Sequence, residues 1–308
     1  MILRLLGNER GTASVLVAAG LVVLVGFLAL VSDAGLLYVN RARVVNALDS
    51  AVLAGVQELP DNPAKAVETA QEYAQANGLP ADECDFSVAD DSYSISGEAQ
   101  RPVGFFFARI LGMSEGRVKG HAAARIRPVS AYRGIVPFGV LEGNYSFGQM
   151  VTLKEGAGEG PCYGWFGALL LGGNGPHVYE NNVKYGYSGR IEVGDIIPIE
   201  AGNMSGPTQR AIAYRINQCQ HCPRCSAGSY VEGCSRILIV PIIRFADCNP
   251  AGHPFTVEVV GFAAFLVNRY TGSGCDNEVE GAFIRYVLNA DDSSGAGDYG
   301  LYSGELYE

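Results

Sequence analysis

The chain has 308 residues, with 22 Lys/Arg against 32 Asp/Glu and a formal net charge of −10. That balance excludes a broad nucleic-acid surface or a polybasic membrane patch, both of which need clustered cations. A 48% apolar share excludes a wholly disordered chain. The distribution is uneven. Residues 1–130 carry 11 Lys/Arg, 14 Asp/Glu and only Cys84; the remainder carries 11 and 18, with seven of eight cysteines, 13 of 16 tyrosines and most of the 40 glycines. Two differently built regions are therefore expected, with a seam at Pro128–Gly134.

Residues Thr12 to Ser32 form 21 positions without a charge. At 1.5 Å per residue they cover about 30 Å, the hydrocarbon thickness of a bilayer. The run is longer than the apolar core of a secretory signal and no turn follows it, so a retained transmembrane helix is expected. Arg4 and Arg10 on the N-terminal flank favour residues 1–11 in the cytoplasm. No proline interrupts Asp33 to Leu59, and Pro60 ends the stretch. Leu37, Val45, Leu48, Val52, Val56 and Leu59 recur at helical spacing as a packing or assembly face, while Arg41, Arg43, Asn46 and Asp49 face water. Residues 12–59 then read as one helix of about 70 Å.

The stretch from Glu9-Arg10-Gly11 through the apolar run, Asp33, Tyr38, Arg41-Ala42-Arg43 and Asn46-Ala47-Leu48-Asp49-Ser50-Ala51 resembles the N-terminal segment of TadG-like proteins of Flp/Tad pilus assembly. The resemblance covers roughly residues 8–125. It implies an inner-membrane protein with its bulk outside, serving a pilus or secretion apparatus, with the bilayer, pilus or secretion proteins and copies of itself as partners. Prepilins are cut after a glycine and carry glutamate at the fifth mature position. Counted from Gly11 that position is Leu16, and from Gly7 it is Thr12, which favours the uncleaved type.

Within residues 33–130, Asn62-Pro63 opens a helix to about Asn77. Alternation in Cys84–Ala89 and Tyr93–Gln100 predicts a hairpin around Asp90-Asp91. Pro102–Leu111 reads as a helix and Val118–Ile126 as a strand. A long helix followed by a small α+β unit is the plan of pilins as well as of assembly factors. Residues 131–290 read as a glycine- and cysteine-rich β domain, a sandwich or small barrel, with strands at Gly134–Leu141, Gln149–Leu153, Trp165–Leu171, Arg190–Ile199, Ile237–Ile243, Phe255–Val267 and Val279–Leu288. Thr208–Asn217 is a helical insertion, and Pro176–Tyr185 a second short helix. Residues 291–308 are a polar tail or, at Tyr299–Leu306, an edge strand. The fold class expected is α+β.

Cys219-Gln-His-Cys222-Pro-Arg-Cys225 and Cys234 place four thiols in 16 residues. In cytosol this spacing reads as a metal site with Cys219, Cys222, Cys225 and Cys234 as ligands and His221 able to replace one. Outside the membrane, disulfides among Cys84, Cys162, Cys219, Cys222, Cys225, Cys234, Cys248 and Cys275 take precedence, with pairings left open, and a redox dithiol is a third reading. Glu200–Thr208 is dense in small polar groups, either a binding turn or a structured loop entering a helix. No H-E-x-x-H, G-x-S-x-G or phosphate-loop motif occurs, and His121, His177, His221 and His253 are widely spaced. The function expected is structural, without enzymatic turnover or cofactor, for a single-pass protein of the cytoplasmic membrane. A pilin-like filament subunit with residues 12–59 as its helical core, and a membrane-tethered redox or hydrolytic enzyme, are the alternatives.

Overall fold

The computed structural model describes residues 9–154, 167–200, 202, 204–248, 254–272, 278–292 and 296–307. The class is α+β. The chain divides into two compact units, Met1–Arg125 with Leu306–Glu308, and Ile126–Glu305.

The first unit is organised by α1, a 47-residue helix over Glu9–Gly55, about 70 Å long at 1.5 Å per residue. Gly35 does not interrupt it. From Ala13 to Ser32 its side chains are exposed on nearly every side, Val15, Leu16, Val22, Phe27 and Leu30 among them. This half is long and apolar enough to cross a bilayer. The second half is buried on one face by Val44, Ala47, Leu48, Ala51 and Val52, and the helix ends at Gly55 rather than at Leu59, with Val56 and Leu59 buried in and just after the short 3-10 turn Val56–Glu58 that follows. Of the expected stripe, Leu48, Val52, Val56 and Leu59 lie in this core, while Leu37 and Val45 are half-buried. The face is wider than a single stripe because α1 packs against both a helix and a sheet.

The helical partner is α2 (Pro63–Ala76), entered at Pro63 as expected, although Asn62 makes no side-chain cap. It offers α1 a row of small side chains, Ala66, Ala70 and Ala74, all fully buried. A methyl on Gly55 would stand 2.7 Å from the Ala66 carbonyl oxygen, so the crossing requires glycine there. The sheet is antiparallel, β1 (Cys84–Val88), β2 (Ser94–Gly104) and β3 (Glu115–Ile135, of which residues to Arg125 belong to this unit). The β1–β2 turn is closed by the Tyr93 N–H donating to the Asp91 carboxylate at 2.9 Å. Pro102–Leu111 is not the helix expected. Its first three residues complete β2, and only Ala108–Leu111 form a short 3-10 turn.

The second unit is built on a long hairpin of β8 (Ile237–Cys248) and β9 (Pro254–Thr271). Next to β9 lie β10 (Glu278–Ile284) and then β5 (Met150–Lys154); β4 (Val140–Leu141) runs parallel to β8, and β7 (Ile196–Pro198) pairs with β9. A second sheet joins the later part of β3 to β6 (Tyr187–Glu192), β12 (Asp291–Asp292) and β13 (Leu301–Tyr307), with β11 (Tyr286–Leu288) parallel to β13. Ile237, Ile239, Ile243, Val257 and Val259 meet Val129, Ile135, Ile191 and Leu301 from the second sheet. The opposite side chains, Leu238, Val240, Ile242, Ala263 and Phe265, meet Tyr179 and Val183 of α3 (Pro176–Tyr185) and Ala211 and Ile212 of α4 (Ser205–Gln218). The β8–β9 sheet is thus covered on both faces, which is why its strands read as continuous apolar runs.

Both helices of this unit fall where the sequence places them. Several strands are shorter than expected. Gly134–Leu141 is not one strand, because the chain leaves β3 after Ile135 and returns only at Val140, with Gly134 at φ +100°. Arg190–Ile199 divides into β6 and β7, and Val279–Leu288 into β10 and β11. Of Trp165–Leu171, the first two residues lie outside the described set and Ala168 and Leu169 make single bridges. Residues 301–307 are a strand in the interior of the second sheet rather than at its edge.

Candidate functional site

Asp33 is the first residue past the apolar half of α1, and it is buried. Its Oδ1 accepts the Phe106 N–H at 2.9 Å, and its Oδ2 accepts the Phe107 and Ala108 N–H groups at 3.1 and 2.7 Å. Three successive amides turned on one carboxylate make a small anion nest at the start of a 3-10 turn. That capture explains why Pro102–Leu111 does not form a helix. The loop so held turns Phe106 (75% exposed), Ile110 (84%) and Met113 outward. An apolar loop is thereby tied, through one side chain, to the point where the apolar half of α1 ends.

The second cluster lies in the other unit, in the connection from α4 to β8. Cys219 follows Gln218, the last residue of α4. The Sγ atoms of Cys219, Cys225 and Cys234 and a ring nitrogen of His221 all lie within 4.8 Å of one another. His221 Nδ1 is 3.6 Å from Cys219 Sγ and 3.3 Å from Cys225 Sγ. The Val231 N–H donates to Cys225 Sγ at 3.4 Å. Burial opposes ionisation of Cys219, but hydrogen bonds from Cys234, His221 and Cys225 outweigh it and draw the thiol down to about 6. Burial pushes Cys234 up to about 11. Such an arrangement of thiols and imidazole can hold a soft metal ion or, on oxidation, link two of its sulfurs.

Cys222, expected as a ligand, is exposed and stands outside the group, while His221 takes part in it. Cys84, Cys219, Cys222, Cys225 and Cys234 carry no S–S bond in the structure, so none of the expected disulfides is formed among these described cysteines. Cys84 stands apart in the first unit, its thiol donating to the Pro80 carbonyl at 3.4 Å and pushed up by burial and by Glu83, Asp85 and Asp82. Cys162 and Cys275 lie outside the described residues; Cys248 ends β8.

Sequence reasoning missed Arg236, 1% exposed beside the thiol group. Its Nη1 donates to the Cys225 carbonyl at 2.6 Å, its Nε to the Val267 carbonyl at 2.8 Å and its Nη2 to Asn268 Oδ1 at 3.2 Å. No periodicity marks this residue; only its position, two after Cys234, ties it to the motif. In the Glu200–Thr208 segment, Glu200 is buried and accepts the Gly175 N–H at 3.3 Å, at the entry to α3, where a carboxylate complements the helix dipole. His177 contacts Asn181 on α3, and His121 is exposed on β3. His253 lies outside the described residues.

The family model of Flp pilus-assembly TadE/G-like proteins (Tad) matches residues 11–58. These residues are α1 with the short turn that ends it. No curated protein and no solved structure matches the chain.

Proposed function

We propose that this protein is a membrane-anchored structural component of a Tad/Flp-type pilus assembly or secretion apparatus. Residues 12–32 cross the cytoplasmic membrane with the N-terminus inside. The remainder lies outside and works by protein–protein contact rather than by turnover chemistry. The match of residues 11–58 supports the pilus-related role. The membrane reading is carried by the Asp33 clasp. It brings Phe106, Ile110 and Met113 to the level at which α1 leaves the apolar layer, where exposed aromatic and aliphatic side chains are stabilised by the headgroup region.

Two measurements test this reading. Protease added to intact spheroplasts should digest the chain beyond residue 33 and leave a membrane-bound fragment containing the N-terminus; full protection of the chain overturns it. Shearing surface filaments and identifying the repeating subunit by mass spectrometry should yield a different, major protein. The exposed apolar half of α1 also suits the core of a filament, so recovery of this chain as the repeating subunit replaces the assembly role with the pilin-like one.

A further inference from the structure

We propose that Cys219, His221, Cys225 and Cys234 bind a single tetrahedral divalent ion of the zinc class, as a closed structural site that fastens the end of α4 to the start of β8. Four donors with bonds of about 2.0–2.3 Å around one tetrahedral ion stand about 3.5–3.8 Å apart. The His221 Nδ1 distances of 3.6 and 3.3 Å to two of the sulfurs, and the 4.8 Å limit on the whole group, fit one shared ion. Three thiols cannot pair off among themselves, so any disulfide within the group strands one sulfur and the imidazole. A site of one nitrogen and three sulfurs selects a borderline-soft, tetrahedral ion over magnesium or calcium, which take oxygen.

Arg236 supplies an independent argument. Its guanidinium remains charged, it is fully buried, and its described partners are two carbonyls and an amide oxygen, all neutral. A buried cation calls for a counter-charge nearby. A divalent ion with three thiolates and a neutral imidazole carries one net negative charge, and Arg236 donates directly to the carbonyl of Cys225, one of the ligands. The sulfurs bind as thiolates, any remaining thiol protons passing to solvent, so the charged site and the guanidinium balance to zero. With four protein ligands no position remains open for a substrate, which makes the site structural rather than catalytic.

The test uses the full chain, purified in detergent without added reductant. Elemental analysis should find about one zinc per chain. Cys225→Ser and Cys234→Ser should lower that content at least about tenfold, whereas Cys222→Ser and Cys84→Ser should leave it unchanged. Because the ligand variants can fail to fold, the unmodified chain is also stripped with chelator and refilled with cobalt. Intense visible bands with thiolate-to-metal charge transfer are expected; the weak spectrum of octahedral cobalt overturns the proposal. So does a non-reducing peptide map that links Cys219, Cys225 or Cys234 in a disulfide, or loss of metal on Cys222→Ser as great as on Cys225→Ser.

Discussion

An aspartate one residue past the apolar half of a helix is costly unless its charge is met, and Asp33 is met by backbone amides. Asp33→Ala should therefore free the amides of Phe106–Ala108, raising their hydrogen exchange by mass spectrometry while β2 and β3 stay protected. Asp33→Asn, which keeps an acceptor oxygen, should have a smaller effect. Glu180 presents the opposite arrangement. The Arg210 guanidinium at 2.6 Å and the Lys184 ammonium at 2.6 Å hold its carboxyl down to about 2, from an ordinary value of 4.5. Its folded-state pKa is depressed, so its contribution is full above about pH 4.5 and is lost as pH falls through about 2. Acid titration of Glu180→Gln beside the unaltered chain should show the unaltered chain the more stable near neutrality, and the two curves converging below pH 2.

At the level of elements, the buried face of α1 discriminates between a folded core and an assembly surface. Leu48 is fully buried within its own unit, so Leu48→Ala should cost about 2–5 kcal/mol in denaturant unfolding of that unit. Gly55→Ala forces a methyl against the Ala66 carbonyl and should cost about 1–3 kcal/mol despite the better helix propensity of alanine. These elements also show what was legible in advance. α2 and α3 announce themselves through proline at the first turn, and α3 ends at Gly186, whose φ is +82°. Pro102–Leu111 misled because the signal that decides its shape lies more than seventy residues away, on Asp33. Cys222 misled for a related reason: C-x2-C spacing carries no information on which donor faces inward, and here the turn brings in His221. Gly134–Leu141 misled because Gly134, at φ +100°, only shifts the register of β3, and the chain leaves that strand one residue later, after Ile135, a tertiary event with no periodic trace.

On the scale of the whole molecule, the exposed apolar surface is concentrated in the first half of α1. A chain produced without residues 1–32 should accordingly partition into the aqueous phase of a detergent extraction that retains the full chain. The order of strands bears on how the outer part comes to be folded. β13 follows every other described strand in the chain, yet it lies between β3 and β11, and Glu305 reaches Arg127 at 3.3 Å. In a chain made from the N-terminus onward, β13 is therefore the last described strand to become available. Until residues 301–307 have emerged, β3 and β11 lack their common neighbour, and unpaired strand edges invite wrong pairing and cleavage. Under the proposed placement outside the membrane, this part of the fold closes only after residues 301–307 arrive, so a chain halted before residue 301 should be cleaved by added protease more readily than one in which β13 is in place.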